Sequence, residues 1–130
     1  MIPSVARAAV YIRTDPEGAL PSEEEQMALL REYASREGHQ IVAGYRDLDA
    51  PGAYLYHRPG LKEAIKNIKE EEDWEVLLVA LPRCISETET ALHEFVHKFS
   101  LYNNRVESPE KGWEKLLANM KAYRREMSRR

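Results

Sequence analysis

The chain has 130 residues, 43% hydrophobic and 32% charged, the ordinary balance of a soluble globular protein and most economically a single domain over 1–130. Its formal net charge of −3 excludes attraction to nucleic acid through the global field, so any DNA contact needs a local basic patch. One cysteine, Cys84, excludes an internal disulfide, and no apolar run approaches the roughly 20 residues that span a bilayer. With no apolar signal stretch in Met1–Arg7, the expectation is a cytoplasmic protein without membrane contact.

Ala8-Ala9-Val10-Tyr11-Ile12 is a short apolar run that fits a strand buried on both faces. Asp15-Pro16-Glu17-Gly18 breaks it. From Ser22 the spacing of Met27, Leu29, Leu30, Tyr33 and Ala34 predicts a helix, opened by a Ser22/Glu25 capping box and stopped at Gly38. A second strand is expected over Gln40–Tyr45, with Val42 buried, followed by a loop rich in Asp, Pro and Gly through Pro59. Leu61, Ala64, Ile65 and Ile68 mark the next helix, which runs into the acidic, solvated stretch Glu70–Asp73. Glu75–Leu81 carries the strongest strand pattern in the chain. Leu92, Phe95, Val96 and Phe99 then form the apolar stripe of another helix, and Tyr102–Glu107 can hold a short edge strand. From Pro109 to Arg130, Trp113, Leu116, Leu117, Met120, Tyr123 and Met127 spell a long amphipathic helix.

Strands alternating with helices imply crossover connections, hence an α/β fold: a mainly parallel sheet flanked by helices in three layers. Sites in such sheets form in loops at the carboxyl ends of the strands. Three loops qualify, holding Arg13 and Asp15, then Asp47, Asp49 and Arg58, then Arg83. On pattern alone these read as solvated loop charges. No glycine-rich phosphate loop is present.

In order along the chain, these loops resemble the catalytic domain of serine recombinases of the resolvase/invertase family. Tyr11-Ile12-Arg13-Thr14-Asp15 looks like that family's Tyr-x-Arg-x-Ser, and Ser22-Glu23-Glu24-Glu25-Gln26 like its Ser-x-x-x-Gln. Asp47 followed by Arg58-Pro59-Gly60-Leu61 resembles its Asp…Arg-Pro-x-Leu stretch. Val76–Arg83 resembles the strand that ends there in Leu-Asp-Arg-Leu-Ser/Gly-Arg. The segment from Ser108 onward is similar to the turn and long dimerisation helix of the family. The resemblance implies attack of a serine hydroxyl on a DNA phosphate without a metal or other cofactor. It also implies that Arg13, Arg58 and Arg83 surround that phosphate, with Gln26 and Asp47 in support. Guanidinium groups suit this chemistry because a phosphoryl transition state spreads negative charge over its oxygens.

The departures matter as much. Asp15 stands where the nucleophilic serine belongs, and a carboxylate there repels phosphate and is expected to pair with Arg13. Thr14 is poorly placed to replace it, since neighbours on an extended segment point to opposite faces. Pro82 replaces an aspartate, and Ser86 replaces the last arginine of its loop. Losing the nucleophile is sufficient to abolish covalent catalysis. The expectation is therefore an inactive domain acting in assembly, regulation or weak DNA binding. It would form a homodimer, or a heterodimer with an intact recombinase, through 109–130, with no C-terminal DNA-binding domain following.

One motif points elsewhere. His93-Glu94-Phe95-Val96-His97 matches H-E-x-x-H, whose i, i+4 imidazoles share a helix face and can bind zinc, with Glu94 as base. No histidine follows at the spacing of the extended zinc-protease motif, so a third ligand would have to be a carboxylate such as Glu107, Glu110 or Glu114. Packing explains the apolar residues of this helix, and two half-exposed histidines are the simpler expectation.

Overall fold

Residues 6–51, 55–70, 73–102 and 104–110 are described by a computed structural model. Its elements run β1 (Ala6–Arg13), α1 (Glu23–Glu37), β2 (His39–Asp47), α2 (Pro59–Glu70), β3 (Val76–Val79), α3 (Glu89–Ser100) and β4 (Arg105–Glu107). The strands form one sheet in the order β2-β1-β3-β4, and every pair is parallel. β1 and β3 are central, and both faces of their apolar runs Ala8–Ile12 and Val76–Val79 are covered.

Alternation along β1 sends Ala8, Val10 and Ile12 to one layer, where Leu30 and Ala34 of α1 pack. Ala9 and Tyr11 go to the other layer, with Leu61, Ala64 and Ile68 of α2 and Phe95 and Phe99 of α3. The result is the expected three-layer arrangement. Ser22 caps α1 by accepting the Glu25 amide at 3.2 Å, and Gly38 ends it in the left-handed region at φ 76°.

Two strand expectations need correction. Val42 is half-buried, because β2 is an edge strand and Val42 is the extra residue of a bulge between the Ala8–Ile41 and Ala9–Ala43 pairs. The strand predicted over Glu75–Leu81 is confined to Val76–Val79, where β1 and β4 supply its partners. The expected short strand exists as β4. Pro109 and Glu110 form a bend, and the remainder of the predicted 109–130 helix lies outside the described residues.

Candidate functional site

The carboxyl ends of β1, β2 and β3 bring the motif residues together. Alternation puts Tyr11 and Arg13 on the same side of β1. The Tyr11 hydroxyl donates to Asp47 Oδ2 at 2.8 Å. Asp47, the last residue of β2, also accepts the Gly60 amide on Oδ1 at 2.8 Å and the Leu61 amide on Oδ2 at 3.0 Å. Those amides belong to the first turn of α2, so this carboxylate caps the helix and meets the positive end of its dipole. The close approach requires Gly60: a Cβ there would lie 2.4 Å from the Arg46 carbonyl oxygen.

Arg13 is fully buried, and its guanidinium is committed to the main chain. Nε donates to the Cys84 carbonyl at 2.9 Å, Nη1 to Ala50 at 2.9 Å and Nη2 to Arg83 at 2.6 Å. Arg58, also buried, donates Nη1 to the same Cys84 carbonyl at 3.0 Å. Buried Gln26 donates Nε2 to the Arg13 carbonyl at 2.7 Å and to Pro21 at 2.8 Å, while its Oε1 accepts the Cys84 thiol. Thr14 closes the ring: its hydroxyl accepts the Asp49 amide at 2.8 Å, and Asp49 adopts φ 54° there. Three loops distant in sequence are thus locked at one end of the sheet.

Burial, and then the neighbouring positive charge of Arg58, pull the Arg13 guanidinium below its ordinary pKa. Burial pushes the Tyr11 hydroxyl up, with Arg58 opposing and Asp47 reinforcing. Burial also raises the Cys84 thiol, which keeps it protonated and unreactive.

The residues predicted to surround a phosphate therefore divide. Arg13, Arg58, Gln26 and Asp47 meet in one network, but Arg13 serves the main chain. Arg83 contributes its carbonyl to that network while its side chain is exposed. Asp15 lies just beyond β1, its Oδ1 accepting the Glu17 amide at 2.7 Å in a tight turn with Gly18. The expected Asp15–Arg13 ion pair does not form among the described residues, where each of the three guanidinium nitrogens instead donates to a main-chain carbonyl. Beside the Pro82–Cys84 turn, a cleft of about 240 Å³ is lined in part by Arg83, Ser86, Thr88 and Leu92. Ser86 occupies itself locally, accepting the Thr88 amide at 3.2 Å.

Among the described residues the zinc motif gathers no third ligand. His93 is buried rather than half-exposed, with Nε2 3.5 Å from Glu89. Among the described residues no group of three or more His, Cys, Asp or Glu is placed to hold a metal. No helix among them is long and apolar enough to cross a membrane.

A second ionic cluster was not foreseen. Glu107 on β4 accepts the Tyr33 hydroxyl at 2.8 Å, lies 2.9 Å from His39 Nε2 and accepts Arg105 Nε at 2.6 Å. Burial alone would raise this carboxyl, but the donors Arg105, His39 and Tyr33 together hold it below its usual value. No spacing rule connects residues so far apart in sequence.

The family described as "Resolvase, N terminal domain" matches residues 8–130. No curated protein matches the chain. Among solved structures, the N-terminal catalytic domain of TP901-1 integrase superposes with a TM-score of 0.74 at 23% identity, covering 95% of this chain and 96% of that one. The C-terminal catalytic domain of ISC1926 TnpA, an IS607-like serine recombinase, gives 0.68 at 19% identity, covering 88% and 77%. A resolvase family site-specific recombinase from Streptococcus pneumoniae gives 0.67 at 16% identity, covering 95% and 91%. These likenesses are of fold.

Proposed function

Because the chain belongs to the resolvase N-terminal domain family, we propose that it is a serine-recombinase-type domain that has lost strand cleavage and acts through non-covalent contact with DNA and with other recombinase chains. This reading rests on Asp15, which stands at the serine position of the Tyr-x-Arg-x-Ser pattern that Tyr11–Asp15 resembles, and whose carboxylate and carbonyl accept the Glu17 and Gly18 amides. A carboxylate at that point repels the phosphate that a serine would attack. Neighbouring hydroxyls offer no replacement, since Thr14 is engaged with the β2 loop and Ser86 with the start of α3.

What remains suits holding a phosphate. Arg13 and Arg58 bring two guanidinium groups to one carbonyl, and Asp47 is occupied by Tyr11 and the amides of α2. Two cations so placed favour an anion. Exposed Arg83 adds a third cation at the rim.

Partner contact is assigned to 109–130, whose apolar stripe of Trp113, Leu116, Leu117, Met120 and Tyr123 is most stable when covered, and two-fold pairing is the commonest way to cover it. A Leu116→Glu/Met120→Glu variant is expected to sediment as a smaller species than the parent chain. Incubation with labelled duplex DNA followed by a denaturing gel is expected to show neither cleavage nor a covalent adduct. Asp15→Ser alone is expected to stay inactive, because Pro82 and Ser86 still depart from the family's loop. An adduct with the unaltered chain would refute loss of cleavage outright.

A further inference from the structure

The turn at Pro82–Cys84 occupies the arginines in a way that has a functional consequence. Its Cys84 carbonyl is shared by Arg13 Nε at 2.9 Å and Arg58 Nη1 at 3.0 Å, and its Arg83 carbonyl takes Arg13 Nη2 at 2.6 Å. Both guanidiniums are buried, at 0% and 4% exposure, so nothing from solvent reaches Arg13 while the turn is in place. Neutral carbonyl dipoles here face two like charges, a poorer match than an anion would be. The turn itself is short. It is held by the Cys84 amide on the Leu81 carbonyl at 3.0 Å, the Ile85 amide on Pro82 at 3.0 Å and the Ser86 amide on Pro82 at 3.3 Å. One side chain pins it to α1, through the Cys84 thiol on Gln26 at 3.4 Å.

We infer that the Pro82–Cys84 turn is a latch, whose Arg83 and Cys84 carbonyls stand in for a phosphodiester and must swing away before Arg13 and Arg58 can grip one. This rests on the proposed role of those arginines toward DNA. Anion binding and opening of the turn are then one coupled step, and apparent affinity is reduced by the fraction of time the latch is closed. The remaining ties of Arg13, to Ala50, and of Gln26, to the Arg13 and Pro21 carbonyls, keep the β1 end in place while the turn moves. The exposed side chain of Arg83 rides on the moving segment and travels with it.

Amide exchange measured by NMR, with and without a short duplex, tests this in the intact chain. DNA is expected to speed exchange of the Cys84, Ile85 and Ser86 amides and leave the Leu77 and Leu78 amides of β3 unchanged. Binding followed by fluorescence anisotropy separates the two ideas. If DNA binds in an Arg58→Gln-sensitive manner while those three amides keep their protection, the latch is wrong and the DNA reading stands. If no duplex binds, both fall. A second variant acts on the latch alone: Pro82→Gly loosens the turn by releasing its fixed φ and is expected to tighten duplex binding about fivefold. Its circular dichroism spectrum and melting curve verify that it folds. Unchanged or weaker binding by the folded variant would overturn the latch.

Discussion

Around Arg13 and Arg58, two buried cations share main-chain carbonyls; around Glu107, one carboxylate collects Tyr33, His39 and Arg105 from three different elements. Both clusters lock distant segments together, yet they differ in what meets the buried charge. Glu107 has a cationic partner within 2.6 Å, and its charge is answered inside the fold. Arg13 is answered by main-chain dipoles, and Asp47, joined to the network through the Tyr11 hydroxyl, is already capping α2. The Glu107 charge is met by an opposite charge within the fold, whereas the Arg13 charge is shared among neutral main-chain carbonyls.

The largest expected effect sharpens that contrast. Arg13→Met fills much of the same volume but strips the Ala50 and Arg83 carbonyls of this donor and leaves the Cys84 carbonyl to Arg58 alone, at a cost of about 4 kcal/mol in chemical denaturation. A neutral or stabilising result would mean that Arg13 is held at the expense of the fold, solely for a ligand. Next comes Asp47→Asn, which keeps the shape but loses the charge and turns an amide donor toward Gly60, Leu61 or Tyr11. About 2 kcal/mol is expected in the same measurement.

A smaller effect belongs to Glu107, and it depends on pH. Its carboxyl is held below its ordinary value of 4.5, so the folded state binds this proton less tightly than the unfolded chain does. The stability it contributes is present above that value and disappears as pH falls through the lower, folded one. Glu107→Gln is expected to cost about 1 kcal/mol at pH 7, a modest figure because Arg105 is half-exposed and the pair is screened. The gap between the melting temperatures of parent and variant should narrow below pH 4.5. A gap that persists unchanged at pH 3 would mean that shape, not charge, explains the cluster.

Most of the fold was legible because its signals are local. The apolar runs Ala8–Ile12 and Val76–Val79, the Ser22 cap and the Gly38 stop each depend on a few adjacent residues, and each lies within the element expected of it. Val42 escaped because a bulge is decided by the partner strand, which periodicity in one strand does not encode. The candidate site was legible as a set of residues, since motif order drew Arg13, Gln26, Asp47 and Arg58 together. Their partners were not, because three of the acceptors around Arg13 and Arg58 are backbone carbonyls, and any residue type can supply one. The Glu107 cluster was invisible for a related reason: it joins the end of α1, the start of β2 and an edge strand, contacts that only tertiary packing creates.

The least change is expected at α3, where a complete sequence motif gathers no third ligand among the described residues. His93 and His97 stand i, i+4 as H-E-x-x-H requires, but His93 is buried in the layer with Leu92, Phe95 and Phe99 and lies against Glu89 on its own helix. Zinc needs at least three converging protein ligands with open lone pairs, and no group of three forms among the described residues. A metal that binds the folded state preferentially raises its melting temperature by mass action. Added zinc at a modest excess is therefore expected to shift the melting temperature by less than about 1 °C, and His97→Ala should leave that null response unchanged. A stabilisation of several degrees that vanishes in His97→Ala would show that the helix recruits further ligands, and would reverse the contrast between a motif read by spacing and a site built by packing.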